Sequence, residues 1–221
     1  MMPSIPPDHL LSMSALAGQH PFQIDLAYAR PDNLLFGEQI YRTGASLWLH
    51  RDLASVVIEA ARRCYDRTGL KFVLYDGLRT VDAQEKMLRT RRVQDNPHWL
   101  EEPRLLSPPG MGGHPRGMAI DIGLVDAKGT LVDMGTPFDF LASNPAAEHN
   151  MAHRDYPHLS QQIRENRAVL TGAMQSAAHA LGIPLLPLPQ EWWDFRLPAE
   201  IYDGYAPLRE RDLPPPMRLM D

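Results

Sequence analysis

The chain has little of several features that would restrict its class. Its 221 residues include one cysteine, Cys64, which excludes an internal disulfide and a CxxC metal knuckle. A bound metal would therefore be held by His, Asp and Glu side chains. No apolar run approaches the ~18 residues of a membrane-spanning helix, so we expect no contact with a membrane.

Positive charge is also scarce. The sequence has 22 Lys and Arg against 27 Asp and Glu, a net charge of -5, whereas nucleic-acid binding needs a basic face. The one basic cluster, residues 89–92, ends a predicted helix, where cations complement the helix dipole. We therefore expect no nucleic-acid partner. Because the first residues lack a basic signal segment, we expect a cytoplasmic protein, with the periplasm as the alternative.

Apolar periodicity predicts the fold class. Helical spacing extends over 47–67 and 160–181, each followed by a glycine, and Thr80 is a candidate N-cap for a helix to about residue 91. Strands are predicted at 71–75, 118–125 and 130–134, with an edge strand at best over 183–188. This order favours a single α+β domain, 1–221, with a mostly antiparallel central sheet flanked by helices. A loop-rich N-terminal arm (about 1–45) and a proline-rich C-terminal tail (about 205–221) complete it.

Three segments carry residues suited to chemistry. In the first, glycines precede His114, and Asp121 follows in a predicted strand. A glycine-rich loop lets the imidazole turn back beside the carboxylate, and both groups are zinc ligands. The alternative is a His and an Asp that only hydrogen-bond to each other.

The second segment places Glu191 and Asp194 among aromatic residues, and the third places Asp76 three residues before Arg79. Buried carboxylates need a cation, and burial raises a carboxyl pKa toward the range of a general base. The alternative is an aromatic core with both acids pointing outward. The Asp–Arg turn is either a structural ion pair or a clamp for a carboxylate or an oxyanion.

Together the segments resemble D-alanyl-D-alanine dipeptidases of the VanX type, zinc enzymes among the cell-wall D,D-peptidases with a Hedgehog/DD-peptidase-like fold. The resemblance covers roughly residues 28–195. Its motifs are DG-x-R at 76–79, H-x-RG-x-AID at 114–121, MG-x-x-FDF at 134–140 and EWW at 191–193. It implies metal-dependent hydrolysis of D-alanyl-D-alanine, or a similar D-amino-acid dipeptide, with release of D-alanine.

The resemblance also implies residue roles. His114 and Asp121 would bind the metal, Glu191 would be the general base, and Arg79 would stabilise the oxyanion. The metal would be one divalent ion, zinc first, with manganese, cobalt or iron as alternatives.

The substrate pocket follows from the same resemblance. Asp139 would meet the substrate ammonium, Tyr28 would line the pocket, and Asp76 would orient the arginine beside it. The family has Ser-Ser before the first zinc histidine, whereas this chain has Gly112 and Gly113, so a hydroxyl that helps to hold the substrate is missing.

The main departure lies at the third zinc ligand, because the family has EWWH where this chain has EWWD. Either Asp194 is itself a metal ligand, or the chain has lost a competent metal site and is a non-catalytic binding protein. We favour the ligand, since the other site residues persist together. Two nearby histidines, His149 and His153, are predicted to be exposed surface residues.

Three other functions stay open at this point. The same centre could act as a D,D- or L,D-carboxypeptidase on longer cell-wall peptides. The chain could be a non-catalytic peptide- or metal-binding relative, or a structural protein whose tryptophans are only core. The expected partner is a small D-amino-acid dipeptide, and self-association into a homo-oligomer is left open.

Overall fold

The computed structural model of the protein describes residues 2–101 and 105–221. The strands in these ranges are β1 Leu10–Ser12, β2 Phe22–Ile24, β3 Trp48–His50, β4 Lys71–Asp76, β5 Ala119–Val125, β6 Leu186–Pro187 and β7 Asp194–Arg196. The α-helices are α1 Met13–Leu16, α2 Arg51–Thr68, α3 Val81–Leu88, α4 Arg91–Gln94, α5 Gln161–Leu181 and α6 Ala199–Tyr202. Among the described helices, none has the length and apolar character needed to cross a membrane.

A five-stranded sheet with the order β2-β4-β5-β7-β6 forms the centre, and β1 pairs with β3 in a separate ribbon. Its pairs are antiparallel except for β2 with β4, which is parallel. The α+β prediction with a mostly antiparallel sheet is therefore confirmed. Strand β2 lies in the N-terminal arm, where three residues are too few to show a strand period in the sequence.

The two long helices agree closely with the periodicity. Helices α2 and α5 pack against each other, and each ends at a glycine in the left-handed region, with φ of 72° at Gly69 and 66° at Gly182. The predicted start at residue 47 is wrong because Trp48–His50 pairs with β1 instead. The His50 ring accepts the Asp52 N–H, so the helix begins at Arg51.

The helix predicted from Thr80 to about residue 91 is shorter than expected. The Thr80 hydroxyl accepts the Ala83 N–H, as a cap should, but the helix ends at Leu88. The Thr90 hydroxyl donates to the Met87 carbonyl, and a separate short helix, α4, follows. A β-branched residue that bonds its own backbone disfavours continuation of the helix at that point.

The strand predicted at 130–134 is wrong. Only Leu131 forms a single bridge, to Val125, because the Asp126 carboxylate accepts the N–H groups of Lys128 and Thr130 and closes a tight turn. The edge strand predicted over 183–188 is confirmed as the two-residue β6.

A register shift in the central pair positions the site. Regular pairing of β4 with β5 would place Asp76 opposite Ile120, but the shift after Leu74 places it opposite Asp121. Bulges of this kind turn a side chain toward the other face of a sheet. The shift therefore brings two carboxylates to the same face.

The C-terminal segment contributes to the core. Leu208, Leu213, Met217 and Leu219 are buried, and the Leu219 carbonyl accepts the N–H of Arg42 from the N-terminal arm. This segment also supplies Glu210, whose carboxylate accepts the Thr80 hydroxyl. The two ends of the chain thus pack together beside α3.

We predict that Leu219→Ala lowers the free energy of unfolding by about 2–5 kcal/mol, the usual cost of deleting a buried leucine side chain. The measurement is equilibrium unfolding in urea. The control is Leu181→Ala at the exposed end of α5, expected to change stability by about 0.5 kcal/mol or less. Equal stability of the two variants would show that the C-terminal segment is dispensable for the fold.

Candidate metal centre and active site

Three aspartates from neighbouring strands meet on one face of the sheet. Asp121 in β5 is the register partner of Asp76 in β4 and of Asp194 in β7. All three are buried. Like charges directly opposite each other destabilise a sheet, and a buried carboxylate is costly without a partner. The arrangement therefore requires cations among the three carboxylates.

Both carboxylate oxygens of Asp76 accept hydrogen bonds. Its Oδ1 accepts the Tyr41 hydroxyl at 2.7 Å, and its Oδ2 accepts Nε of Arg79 at 2.8 Å. The Arg79 Nη2 also reaches Oδ2 of Asp121 at 3.4 Å. The other oxygen of Asp121, Oδ1, is buried and accepts no hydrogen bond from the described residues. Among the residues that the structure describes, it is the one carboxylate oxygen of these three aspartates left without a donor.

Asp194 forms a two-point ion pair. Its Oδ1 accepts Nε of Arg196 at 2.8 Å, and its Oδ2 accepts Nη2 of the same guanidinium. Burial raises the pKa of Asp194, but Arg196 and His114 outweigh burial and hold that pKa below its ordinary value. Asp194 is therefore a carboxylate at neutral pH.

The glycine-rich loop turns His114 back onto β5, as the sequence predicted. Gly117 has φ of 62°, and a Cβ on Gly113 would lie 2.8 Å from the Met118 carbonyl oxygen, so larger residues would push the loop away. The Nδ1 of His114 lies 2.7 Å from the Gly77 carbonyl oxygen. Since a carbonyl only accepts, Nδ1 carries the proton, and Nε2 is the nitrogen available to a metal.

Nε2 of His114 lies 3.6 Å from Oδ1 of Asp121 and 3.5 Å from Oδ2 of Asp194. Zinc ligands lie about 2.0–2.2 Å from the ion at roughly tetrahedral angles, which separates ligand atoms by about 3.4 Å. Each of these two distances is compatible with a divalent cation shared between Nε2 and the carboxylate oxygen. Burial and Arg79 lower the pKa of His114, but the two carboxylates raise it further, to about 10. The two carboxylates therefore favour a positive charge beside Nε2.

A second grouping overlaps this one. Ligand atoms of Asp76, His114 and Asp121 lie within 4.8 Å of one another. The histidine nitrogen nearest to Asp76, Nδ1 at 3.7 Å, is bonded to a backbone carbonyl, whereas Nε2 faces Asp121 and Asp194. The nitrogen of His114 that is free to bind a cation therefore faces Asp121 and Asp194.

Glu191 lies in the turn between β6 and β7, and Arg154 holds both ends of that turn. The Arg154 guanidinium donates to the carbonyls of Leu188 and Asp194 at 2.9 Å each. Burial, then the charges of Asp194 and Asp121, raise the pKa of Glu191 to about 7. A carboxyl with that pKa is suited to take up and return a proton near neutral pH.

Asp139 lies in a strained turn, with φ of 63°, in a region that non-glycine residues rarely adopt. Its Oδ1 accepts the Tyr28 hydroxyl at 2.9 Å, while its buried Oδ2 has no donor among the described residues. Burial and the charge of Asp121 raise the pKa of Asp139 well above its ordinary value. A cationic group supplied by a ligand would give Oδ2 a donor and would stabilise the ionised carboxylate of Asp139.

A cavity of about 340 Å³ connects these groups, at the small end of the ~300–1,000 Å³ typical of ligand sites. Every predicted site residue except Asp76 lines it. Asp76 instead accepts the Nε hydrogen of Arg79, a contact that holds the guanidinium in place. Apolar side chains, among them Leu35, Phe36 and Leu141, also line the cavity.

Sequence reasoning missed three residues that shape the site: Tyr41, Arg154 and Arg196. Arg196 could have been found, because residues two apart in a strand share a face; the other two give no local signal. The prediction of an exposed His153 is wrong, since its ring is buried and accepts the Asp155 N–H at 3.0 Å. His149 is exposed, as predicted.

Comparison with known proteins identifies relatives of the chain. Residues 13–208 match the family described as D-ala-D-ala dipeptidase. The chain is 28% identical over 176 residues to the D-alanyl-D-alanine dipeptidase of Escherichia coli K12, covering 80% of this chain and 79% of that protein. The crystal structure of the Serratia marcescens L-Ala D-Glu endopeptidase ChiX is also similar, with 17% sequence identity and a TM-score of 0.39. The match covers 70% of this chain and 84% of that chain. Since the family match spans most of its length, the chain belongs to the D-Ala-D-Ala dipeptidase family of metal-dependent peptide hydrolases.

Proposed function

We propose that the protein hydrolyses D-alanyl-D-alanine, or a similar D-amino-acid dipeptide, at a divalent metal held by His114, Asp121 and Asp194. The observation that carries this proposal is the convergence of Nε2 of His114 with two carboxylate oxygens at 3.5 and 3.6 Å in the cavity that Glu191 and Arg79 also line. The metal, when bound, supplies Lewis acidity toward the peptide carbonyl and acidifies water.

Two residues of the chain carry out proton transfer and oxyanion stabilisation. Glu191 accepts the proton of the attacking water and returns it to the leaving amine, a task matched by its raised pKa. Arg79 is held rigidly by Asp76 and lies with its guanidinium carbon 5.1 Å from the centre of the Tyr28 ring. It stabilises the negative charge that develops on the carbonyl oxygen.

The substrate's free ammonium group would bind Asp139. The partnerless Oδ2 of Asp139 supports this role because it gives the ammonium an acceptor that no described residue uses. The small cavity and the buried carboxylate both favour a dipeptide over longer cell-wall peptides, whose extension would replace the ammonium by an amide. The cavity therefore supports a dipeptidase rather than the carboxypeptidase alternatives.

The direct test is release of D-alanine from D-alanyl-D-alanine by metal-stripped protein reconstituted in turn with zinc, manganese, cobalt and iron. We expect release with at least one metal and none without metal. Folded protein that binds these metals but releases no D-alanine would contradict the proposal, and hydrolysis of longer peptides alone would support the carboxypeptidase alternative.

We predict that Asp139→Asn raises KM for D-alanyl-D-alanine by about tenfold or more, because an amide cannot replace the ion pair with the ammonium. We also expect wild-type protein to cleave the N-acetylated dipeptide poorly, and the variant to discriminate less between the two substrates. Steady-state kinetics on both dipeptides provides the measurement. Unchanged discrimination would place the ammonium elsewhere in the cavity.

A further inference from the structure

The proposed metal centre contains one more carboxylate than a site with two histidines and one aspartate would have. Asp121 and Asp194 contribute two negative charges beside the neutral imidazole of His114, and Glu191 adds a third nearby. Zinc sites of this kind more often combine carboxylate with additional histidine. Excess negative charge around a metal weakens its Lewis acidity. The structure must therefore balance the extra carboxylate.

Arg196 is placed to provide that balance. Its guanidinium donates to both oxygens of Asp194, and the oxygen that accepts Nη2, Oδ2, is the same oxygen that lies 3.5 Å from Nε2 of His114. The Arg196 side chain is 21% exposed and lines the cavity, while that of Asp194 is 2% exposed. The charge of Arg196 thus acts next to the metal position in a poorly solvated environment, where screening is weak.

We propose that Arg196 is a positioning residue whose positive charge sets the affinity and Lewis acidity of the metal centre through Asp194. This role rests on the proposed function. In it the Asp194–Arg196 pair acts as a single neutral ligand. The charges of Asp121, Asp194 and Arg196 sum to one net negative charge, the same as for one aspartate with two neutral histidines. Arg196 itself touches neither the metal nor the reacting atoms.

The charge balance makes a specific prediction for four proteins: wild type, Arg196→Gln, Asp194→His, and the double variant. Removing Arg196 leaves two net negative charges, so Arg196→Gln should bind zinc at least about tenfold more tightly than wild type. Its kcat should nevertheless fall, because the metal becomes a weaker Lewis acid. Affinity and turnover then move in opposite directions, which loss of a purely structural ion pair would not produce.

The histidine background gives the sharper comparison. In Asp194→His the guanidinium of Arg196 has lost its counter-ion and repels the cation, although histidine is the more common zinc ligand. We expect this variant to bind zinc at least about tenfold more weakly than the double variant Asp194→His/Arg196→Gln. Ligand identity alone would give the two proteins equal affinity.

The experiment measures zinc affinity by competition with a chromogenic chelator, together with thermal unfolding of each metal-free protein to establish that it is folded. Arg196→Lys keeps the charge and should stay within about threefold of wild type. Arg62→Gln removes an exposed arginine on α2 that forms its ion pairs with Glu59 and Asp66 of the same helix, and it should not change zinc affinity.

Each outcome has a separate meaning. Wild-type protein that binds no divalent metal would contradict the proposed function and this inference together. Wild-type protein that binds zinc with the same affinity as Arg196→Gln would overturn the inference alone, as would equal affinities of Asp194→His and the double variant. Tighter binding on loss of Arg196 in both backgrounds would support it.

Discussion

Glu191→Gln is expected to lower kcat for dipeptide hydrolysis by about 10²–10⁴-fold, the usual contribution of a general base, while zinc binding is retained. Glutamine has nearly the same shape but cannot accept the proton of water. The carboxylates that face Nε2 of His114 belong to Asp121 and Asp194, so the metal site does not depend on Glu191. Arg154 holds the turn through backbone carbonyls, which the substitution leaves in place.

The measurement pairs kcat with zinc affinity for the same preparation. Glu165→Gln, on the exposed face of α5, makes the same chemical change away from the cavity and should retain wild-type kcat. A Glu191→Gln protein with near wild-type turnover would show that another group is the base. Loss of zinc binding would instead make Glu191 part of the metal site.

Arg79→Lys is expected to lower kcat/KM by about 10²–10³-fold, as removal of one oxyanion donor does. Lysine keeps the charge beside Asp76 but cannot reproduce the planar fork, in which Nε and Nη2 of Arg79 both engage that carboxylate. A flexible ammonium would therefore no longer be held in one orientation toward the substrate carbonyl. Because the charge persists, the fold should persist too.

Comparison of Arg79→Lys with Arg209→Lys separates catalysis from ion pairing. Arg209 also bridges two carboxylates, those of Asp82 and Glu85, but it lies outside the cavity. We expect Arg209→Lys to keep wild-type kcat/KM, with circular dichroism confirming both folds. Equal kinetics of the two variants would remove Arg79 from the catalytic machinery.

Local patterns were sufficient where the structure depends on neighbours in the chain. The helical period and the terminal glycines located α2 and α5 within a few residues, because capping and apolar spacing are properties of a single segment. The strand at 118–125 was equally clear, because every residue of β5 except Asp121 is apolar or small. The structure buries all seven residues of this strand. The strand predicted at 130–134 failed because a local Asp126 turn competed with pairing.

The candidate site divides in the same way. Motif spacing led to His114, Asp121, Glu191 and Asp194 because glycines before a histidine and acids among aromatics are visible in the sequence. Arg154 and Tyr41 were missed, because each reaches the site from a distant loop. Their contacts, to the Leu188 carbonyl and to Asp76 respectively, involve partners 34 and 35 residues away.

The sequence by itself determined the fold class and the two long helices and predicted the candidate site residues, since these depend on residue type and short-range spacing. Only the tertiary structure decided how the acids are balanced. The register shift in β4 brings Asp76 opposite Asp121, and strand pairing places Asp194 on the other side of Asp121. Three carboxylates in one row are tolerated because Arg79, Arg196 and His114 reach them from different segments. Long-range pairing produces that balance, and no local period in the sequence encodes it.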